Sequence, residues 1–220
     1  MAEERVQIET AKGPVSGLWA GPAGARAAVV LAHGAGGTMD SALLDGFCAS
    51  LNAAGYDTLR FNFPYAEQGR KAPDRPPALM EAFRAAMAVA RERDPNRPVF
   101  AGGKSLGGRM ASMAVAEGME ASGLIFVGYP LHPPGNPEKV RDEHLYGIRV
   151  PMLFLQGTDD PFAQWELLEA VVKRLGTWAQ LHKVEGGDHS FRVRGSRKPD
   201  EETGRLLGSV AARFIQGAQI

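Results

Sequence analysis

Several short β-type runs in this chain are apolar along their length, and that feature narrows the fold more than any other. The β-type runs as a whole, not all of them apolar, occupy 28–32, 58–63, 98–101, 123–127, 150–156 and 178–184. A strand with one wet face alternates apolar and polar residues, so a run without alternation is expected to be covered on both faces. Between the runs lie segments of helical period at 41–54, 78–93, 106–117 and 162–175, with a last helix near 201–216. In 78–93, Leu79, Phe83, Met87 and Ala90 share one stripe, which marks a core-facing helix. Strand–helix alternation over five units predicts an α/β fold: a doubly wound, mostly parallel sheet with helices on both faces. Residues 6–8 and 15–19 read as a hairpin at one edge. With no repeat or linker to divide it, 1–220 reads as a single domain, long enough to bury a proper core.

Charge narrows the partners. Lys+Arg and Asp+Glu number 25 each, so the formal net charge is zero. A nucleic-acid or anionic-membrane binder needs a basic excess, and neither partner is expected. One cysteine, Cys48, leaves no intramolecular disulfide, and its place in an apolar helical face reads as a buried structural thiol. The opening "MAEERVQIET" has no apolar signal core, and "AAVVLA" is too short to span a bilayer. A cytoplasmic protein with a small-molecule partner is the expectation.

The stretch "VFAGGKSLGGRMAS" (99–112) carries two competing motifs. Gly103-Lys104-Ser105 looks like the end of a phosphate-binding loop, but that loop needs a glycine at 98, where Pro98 stands. The same residues are a G-x-S-x-G, which needs a strand, a sharp turn with serine at its apex, and an immediate helix. Gly103 and Gly107 then allow strand and helix to approach each other. Ser105 is the candidate nucleophile.

A serine hydroxyl attacks only when a base takes its proton and a third group orients the base. In this arrangement the acid and then the histidine follow the serine, each in a loop after a later strand. "PMLFLQGTDDPF" ends a strand with Asp159 and Asp160, and "LHKVEGGDHSF" ends another with Asp188 and His189. His189 is the candidate base. Asp160, ahead of Pro161, is the favoured acid, with Asp159 and Asp188 as alternatives and helix capping as the bland role for Asp160. Oxyanion stabilisation calls for two backbone amides. Leu106 follows the nucleophile, and Ala35 lies in the amide-rich turn His33-Gly34-Ala35-Gly36-Gly37. His33, Gly34, Tyr129 and His132 are the candidate substrate contacts.

The motifs "HGAGG", "GGKSLGGRMAS", "GYPLHPPGNPEKVRDEHL", "QGTDDPF" and "GGDHSF" together resemble the α/β-hydrolase superfamily, in its small dienelactone-hydrolase-like form. "GYPLHPPG" and "GGDHSF" are similar to the group of the nonspecific-lethal complex subunit three and its testis-expressed relative. The resemblance implies Ser105 as nucleophile, His189 as base and Asp160 as acid, with no cofactor. It names no substrate, and some eukaryotic relatives serve as complex subunits, so a binding or scaffold role is the alternative. Lys104 reads as a solvated side chain at the elbow. His144, like His132, falls in the Pro- and Gly-rich segment 129–149, expected as a loop along with 64–77. Arg192, Arg194, Arg197 and Lys198 read as a solvated loop. The 129–149 insertion is too short for a large lid, so an open site for small acyl groups is expected.

Overall fold

The computed structural model describes residues 3–196 and 198–218. An eight-stranded sheet runs in the order β1-β2-β4-β3-β5-β6-β7-β8. The strands are β1 (Glu3–Ile8), β2 (Val15–Ala20), β3 (Ala28–Ala32), β4 (Asp57–Phe61), β5 (Val99–Lys104), β6 (Leu124–Val127), β7 (Met152–Gly157) and β8 (Ala179–Val184). Strands β1 and β2 form an antiparallel edge hairpin, β2 meets β4 antiparallel, and β4 through β8 are parallel. The expected doubly wound, mostly parallel architecture is present.

Alternate residues of a central strand serve two different cores, which is why β3 and β6 are apolar throughout. From β3, Val30 and Ala32 join one cluster, which includes Phe83 and Met87 of α3 (Pro76–Arg93) and Met110 of α4 (Leu106–Ala116). Val29 and Leu31 join the opposite cluster, with Phe47 of α1 (Ala42–Ala53) and Leu207 and Phe214 of α6 (Asp200–Ala218). Helix α5 (Trp165–Leu175) adds Leu168 and Val171 to the first cluster. Among the described residues no helix is long and apolar enough to cross a membrane.

Differences from expectation cluster at prolines. The segment expected as a loop at 64–77 contains α2 (Pro64–Glu67), and α3 starts at Pro76. Proline at the first helical position gives up an N–H that would have no partner there, so a Pro-rich stretch can open helices. The helix expected from 162 starts at Trp165. Ahead of it, the Ala163 N–H donates to the Asp160 carbonyl (3.1 Å) in a turn. Segment 129–149 holds a 3₁₀ turn, Glu143–Gly147.

The sheet order places a functional region. Strand β3 pairs with β4 on one side and β5 on the other, so the connections leaving β3 and β5 diverge to opposite faces of the sheet. In open α/β sheets the crevice at the carboxyl ends beside such a reversal is where ligands bind. The 33–37 turn leaves β3 there, and Ser105 leaves β5 there.

Candidate active site

Ser105 stands between β5 and α4 with φ 50° and ψ −113°, one of two non-glycine residues at positive φ among those described. Such a conformation costs about 1–3 kcal/mol and persists only where its surroundings enforce it. The Ser105 N–H donates to the Val127 carbonyl of β6 at 3.1 Å, and its own carbonyl accepts the Arg109 N–H at 3.1 Å, closing the first turn of α4. A Cβ at Gly103 would sit 2.2 Å, and one at Gly107 2.3 Å, from the carbonyl oxygen of Ala32. Both positions exclude any side chain, as the sharp turn requires.

The turn aims Ser105 Oγ at His189 Nε2, 2.8 Å away. His189 Nδ1 is 2.7 Å from Asp160 Oδ2. An ionised carboxylate only accepts, so Nδ1 carries the ring proton and Nε2 is free to accept from the serine. Three side chains from the ends of β5, β7 and β8 meet in one relay. Asp159 is exposed and takes a hydrogen bond from Thr158 Oγ1 (3.1 Å), so the acid facing the imidazole is Asp160. Asp188 accepts the Ser190 and Arg192 N–H groups at 2.7 and 3.0 Å, which shapes the loop carrying His189.

Two residues around the relay had no assigned role in the sequence reading. Gln156, fully buried, donates Nε2 to Asp160 Oδ2 (2.5 Å) and accepts the Tyr129 N–H (2.8 Å). With the Phe162 N–H donating to Oδ1 at 2.8 Å, every oxygen of Asp160 is occupied and its side chain is shut off from solvent. The Phe162 ring lies against the imidazole, centroids 4.3 Å apart. Both residues fall inside "QGTDDPF", so position in the motif was their only signal.

A cleft of about 330 Å³ opens over Ser105, between the 33–38 turn with Ser41 and Leu44 on one side and Phe162, His189 and Ser190 on the other. A larger hollow of about 510 Å³ lies between β8 and α6 and contains none of Ser105, Asp160 or His189. Convergent polar groups, not volume, select the smaller one. Gly34 and Ala35 line it, and a Cβ at Gly34 would lie 3.6 Å from Ser105 Cβ. His33 reaches the cleft wall, but its imidazole is committed. Nδ1–H donates to the Gly34 carbonyl (2.8 Å) and Nε2 accepts the Phe63 N–H (3.1 Å). Burial lowers its pKa, so the neutral ring acts as a brace for the turn.

Neither Tyr129 nor His132 is among the residues lining this cleft. Tyr129 is fully buried beside Phe126 and donates its hydroxyl to the Arg141 carbonyl (2.9 Å). His132 donates Nδ1–H to the Pro133 carbonyl (2.9 Å) and accepts the Gln164 N–H (2.8 Å). His144 meets Ser112 Oγ of α4 at 2.8 Å, with its pKa held at about 4 by burial and by Arg109. The 3₁₀ turn of the 129–149 segment, Glu143–Gly147, packs against α4 and α5.

Lys104 also departs from expectation. Its stem lines the cleft, but Nζ is buried with no hydrogen-bond partner among the described residues. Burial brings its pKa down to about 8, opposed by the charges of Asp160 and Asp188. Cys48 is buried as expected, its thiol pushed up to about 12 by burial. In the basic loop, Arg192 pairs with Asp200 and Lys198 with Glu202, both at 2.8 Å, and Arg194 is exposed. Arg197 lies outside the described residues. Among the described residues no group of three or more His, Cys, Asp or Glu side chains is arranged to hold a metal ion.

A family model described as "Alpha/beta hydrolase domain" matches residues 25–216. Among solved structures, dienelactone hydrolase from Anabaena variabilis is similar with a TM-score of 0.77 at 20% identity, over 98% of this chain and 97% of that one. A protein from Xanthomonas campestris, described as an α/β serine hydrolase without a lid, gives 0.75 at 16% identity, over 99% and 95%. A thermostable carboxyl esterase from Bacillus coagulans gives 0.77 at 15% identity, over 100% of both chains. At these identities the likeness is one of fold.

Proposed function

The chain belongs to the alpha/beta hydrolase domain family, and from that premise we propose that it is a serine hydrolase cleaving small carboxylic esters or related acyl compounds. The observation that carries this reading is the unbroken relay, 2.8 Å from Ser105 Oγ to His189 Nε2 and 2.7 Å from Nδ1 to Asp160. Ser105 Oγ attacks the carbonyl carbon as its proton passes to Nε2, and Asp160 holds the resulting imidazolium through Nδ1–H. The carbonyl oxygen becomes an oxyanion facing the N–H groups of Leu106 and Ala35. Donors of this kind are each worth about 10²–10³ in rate. Collapse expels the alcohol oxygen, which takes the proton from Nε2, and leaves the acyl group on Ser105. A water then gives its proton to Nε2 and attacks the acyl carbon. Collapse returns the proton to Ser105 and releases the acid.

Every step is a proton or acyl transfer by side chains the protein supplies, so the proposed reaction calls on no cofactor. The short motifs "GYPLHPPG" and "GGDHSF" support a closer kinship with the nonspecific-lethal subunit three group. The cytoplasm and a small-molecule partner remain part of the proposal, on the charge balance and the site's size.

A fluorophosphonate probe tests the reaction class. The wild type is labelled and Ser105→Ala is not. An unlabelled wild type would instead favour a fold kept for binding. The cleft of about 330 Å³ favours short acyl chains. Nitrophenyl acetate and butyrate are expected to turn over faster than the laurate, and the reverse order counts against a shallow site.

A further inference from the structure

We propose that Lys104 is a positioning residue that tunes the relay by holding a buried positive charge behind the His189 imidazole, an inference that rests on reading the relay as catalytic. Lys104 is the last residue of β5, immediately before Ser105. Its stem passes the 33–37 turn, 3.5 Å from where a Cβ on Gly34 would stand. Its tip ends behind the cleft at Gly128, where a Cβ would lie 3.1 Å from Lys104 Nζ and 3.7 Å from His189 Nδ1. The ammonium and the Asp160-facing side of the imidazole thus flank one bare glycine position. Gly128, at φ +72°, leaves that space open.

The Phe191 ring centroid lies 5.8 Å from Nζ, at cation–π range. Phe191 is the other non-glycine residue at positive φ among those described, at 61°. The ionisable groups facing Nζ are Asp160 from the loop after β7, and Asp188 and His189 from the loop after β8. His33, on the neighbouring turn, is neutral. Lys104 has no hydrogen-bonding partner among the described residues to make it a structural tether. Its influence on the site is that of a charge.

The sign of that influence follows from Coulomb's law in a poorly solvated place. A nearby cation disfavours the imidazolium, so charged Lys104 opposes the pull of Asp160 when the imidazole takes the Ser105 proton. Lys104 loses its proton as pH passes about 8. Above that point Asp160 acts on the imidazolium unopposed, and attack by Ser105 is easier.

The test is the pH profile of fluorophosphonate labelling. Wild type shows an acid limb and a second rise through about pH 8. Lys104→Met moves the acid limb up by about one pH unit, a tenfold slower rate at a fixed pH on that limb, and abolishes the second rise. Lys104→Arg, charged throughout, keeps the wild-type acid limb and also lacks the second rise. A purely structural lysine scales the rate equally at every pH, and parallel wild-type and Lys104→Met profiles overturn the proposal. If the wild type is not labelled at any pH, the hydrolase reading fails separately. The tuning is then decided in Ser105→Ala protein by following the His189 ring signals by NMR. Lys104→Met moves their titration to higher pH if the proposal holds, and leaves it in place if it does not.

Discussion

Asp160→Asn is expected to lower kcat about 10⁴-fold while its neighbour Asp159→Asn leaves it unchanged. The reason is the number of donors already aimed at one carboxylate. Oδ2 accepts from Gln156 Nε2 at 2.5 Å and from His189 Nδ1 at 2.7 Å, and Oδ1 accepts the Phe162 N–H at 2.8 Å. An asparagine has one acceptor oxygen and one donor nitrogen. If the nitrogen takes the Oδ2 position, it faces two donors. If it takes the Oδ1 position, it faces the amide of Phe162. The least costly escape is for the imidazole to put its proton on Nε2, the atom that must accept from Ser105. The residues lining the cleft are unchanged in this variant, so the loss is expected on kcat more than on KM. Steady-state kinetics of both variants, with thermal melting to check folding, decides the matter. An Asp160→Asn enzyme within tenfold of wild type removes Asp160 from the relay.

Gly103→Ala is expected to cost about 3 kcal/mol or more of stability, the sum of overpacking and left-handed backbone strain. The added methyl would meet the carbonyl oxygen of Ala32 at 2.2 Å, and φ there is +150°. Ala32 ends the central strand β3, pairs with Phe61 and Gly103 on its two sides and is fully buried, so it cannot retreat. Gly147→Ala is the control. Apart from its chain neighbours and its own turn, no atom of the described residues lies within 4 Å of its added methyl, and its effect is expected to stay within about 0.5 kcal/mol. Urea unfolding of both proteins gives the comparison. A Gly103→Ala protein as stable as the control means the strand and helix can part at the elbow, and the tight turn that presents Ser105 loses its explanation.

The strands and helices were legible because their signals are short-range. Val29, Val30 and Leu31 are apolar in sequence for the same reason that they are buried in space, one side chain per face. Segment 64–77 reads as a loop in sequence, yet Pro64 and Pro76 open helices where proline is usually taken as a breaker. At the site, Ser105 and His189 are conspicuous in sequence because each follows a strand by way of a glycine-containing turn. Adjacent side chains at the end of a strand point opposite ways, so the choice between Asp159 and Asp160 depended on which one the loop turned inward. Tyr129 and His132 follow a strand, where ligands are met, yet neither lines the cleft.

Sequence by itself determined the alternation of elements, the both-face burial of the central strands and the steric need for a bare elbow around Ser105, since each is a relation among near neighbours. Tertiary structure alone decided which carboxylate meets His189, that Gln156 braces it, and that the tip of Lys104 is buried behind the imidazole. Those facts depend on loops from β5, β6, β7 and β8 converging at one rim of the sheet. The distance between groups far apart in the chain is set by packing, which no local pattern of residues encodes.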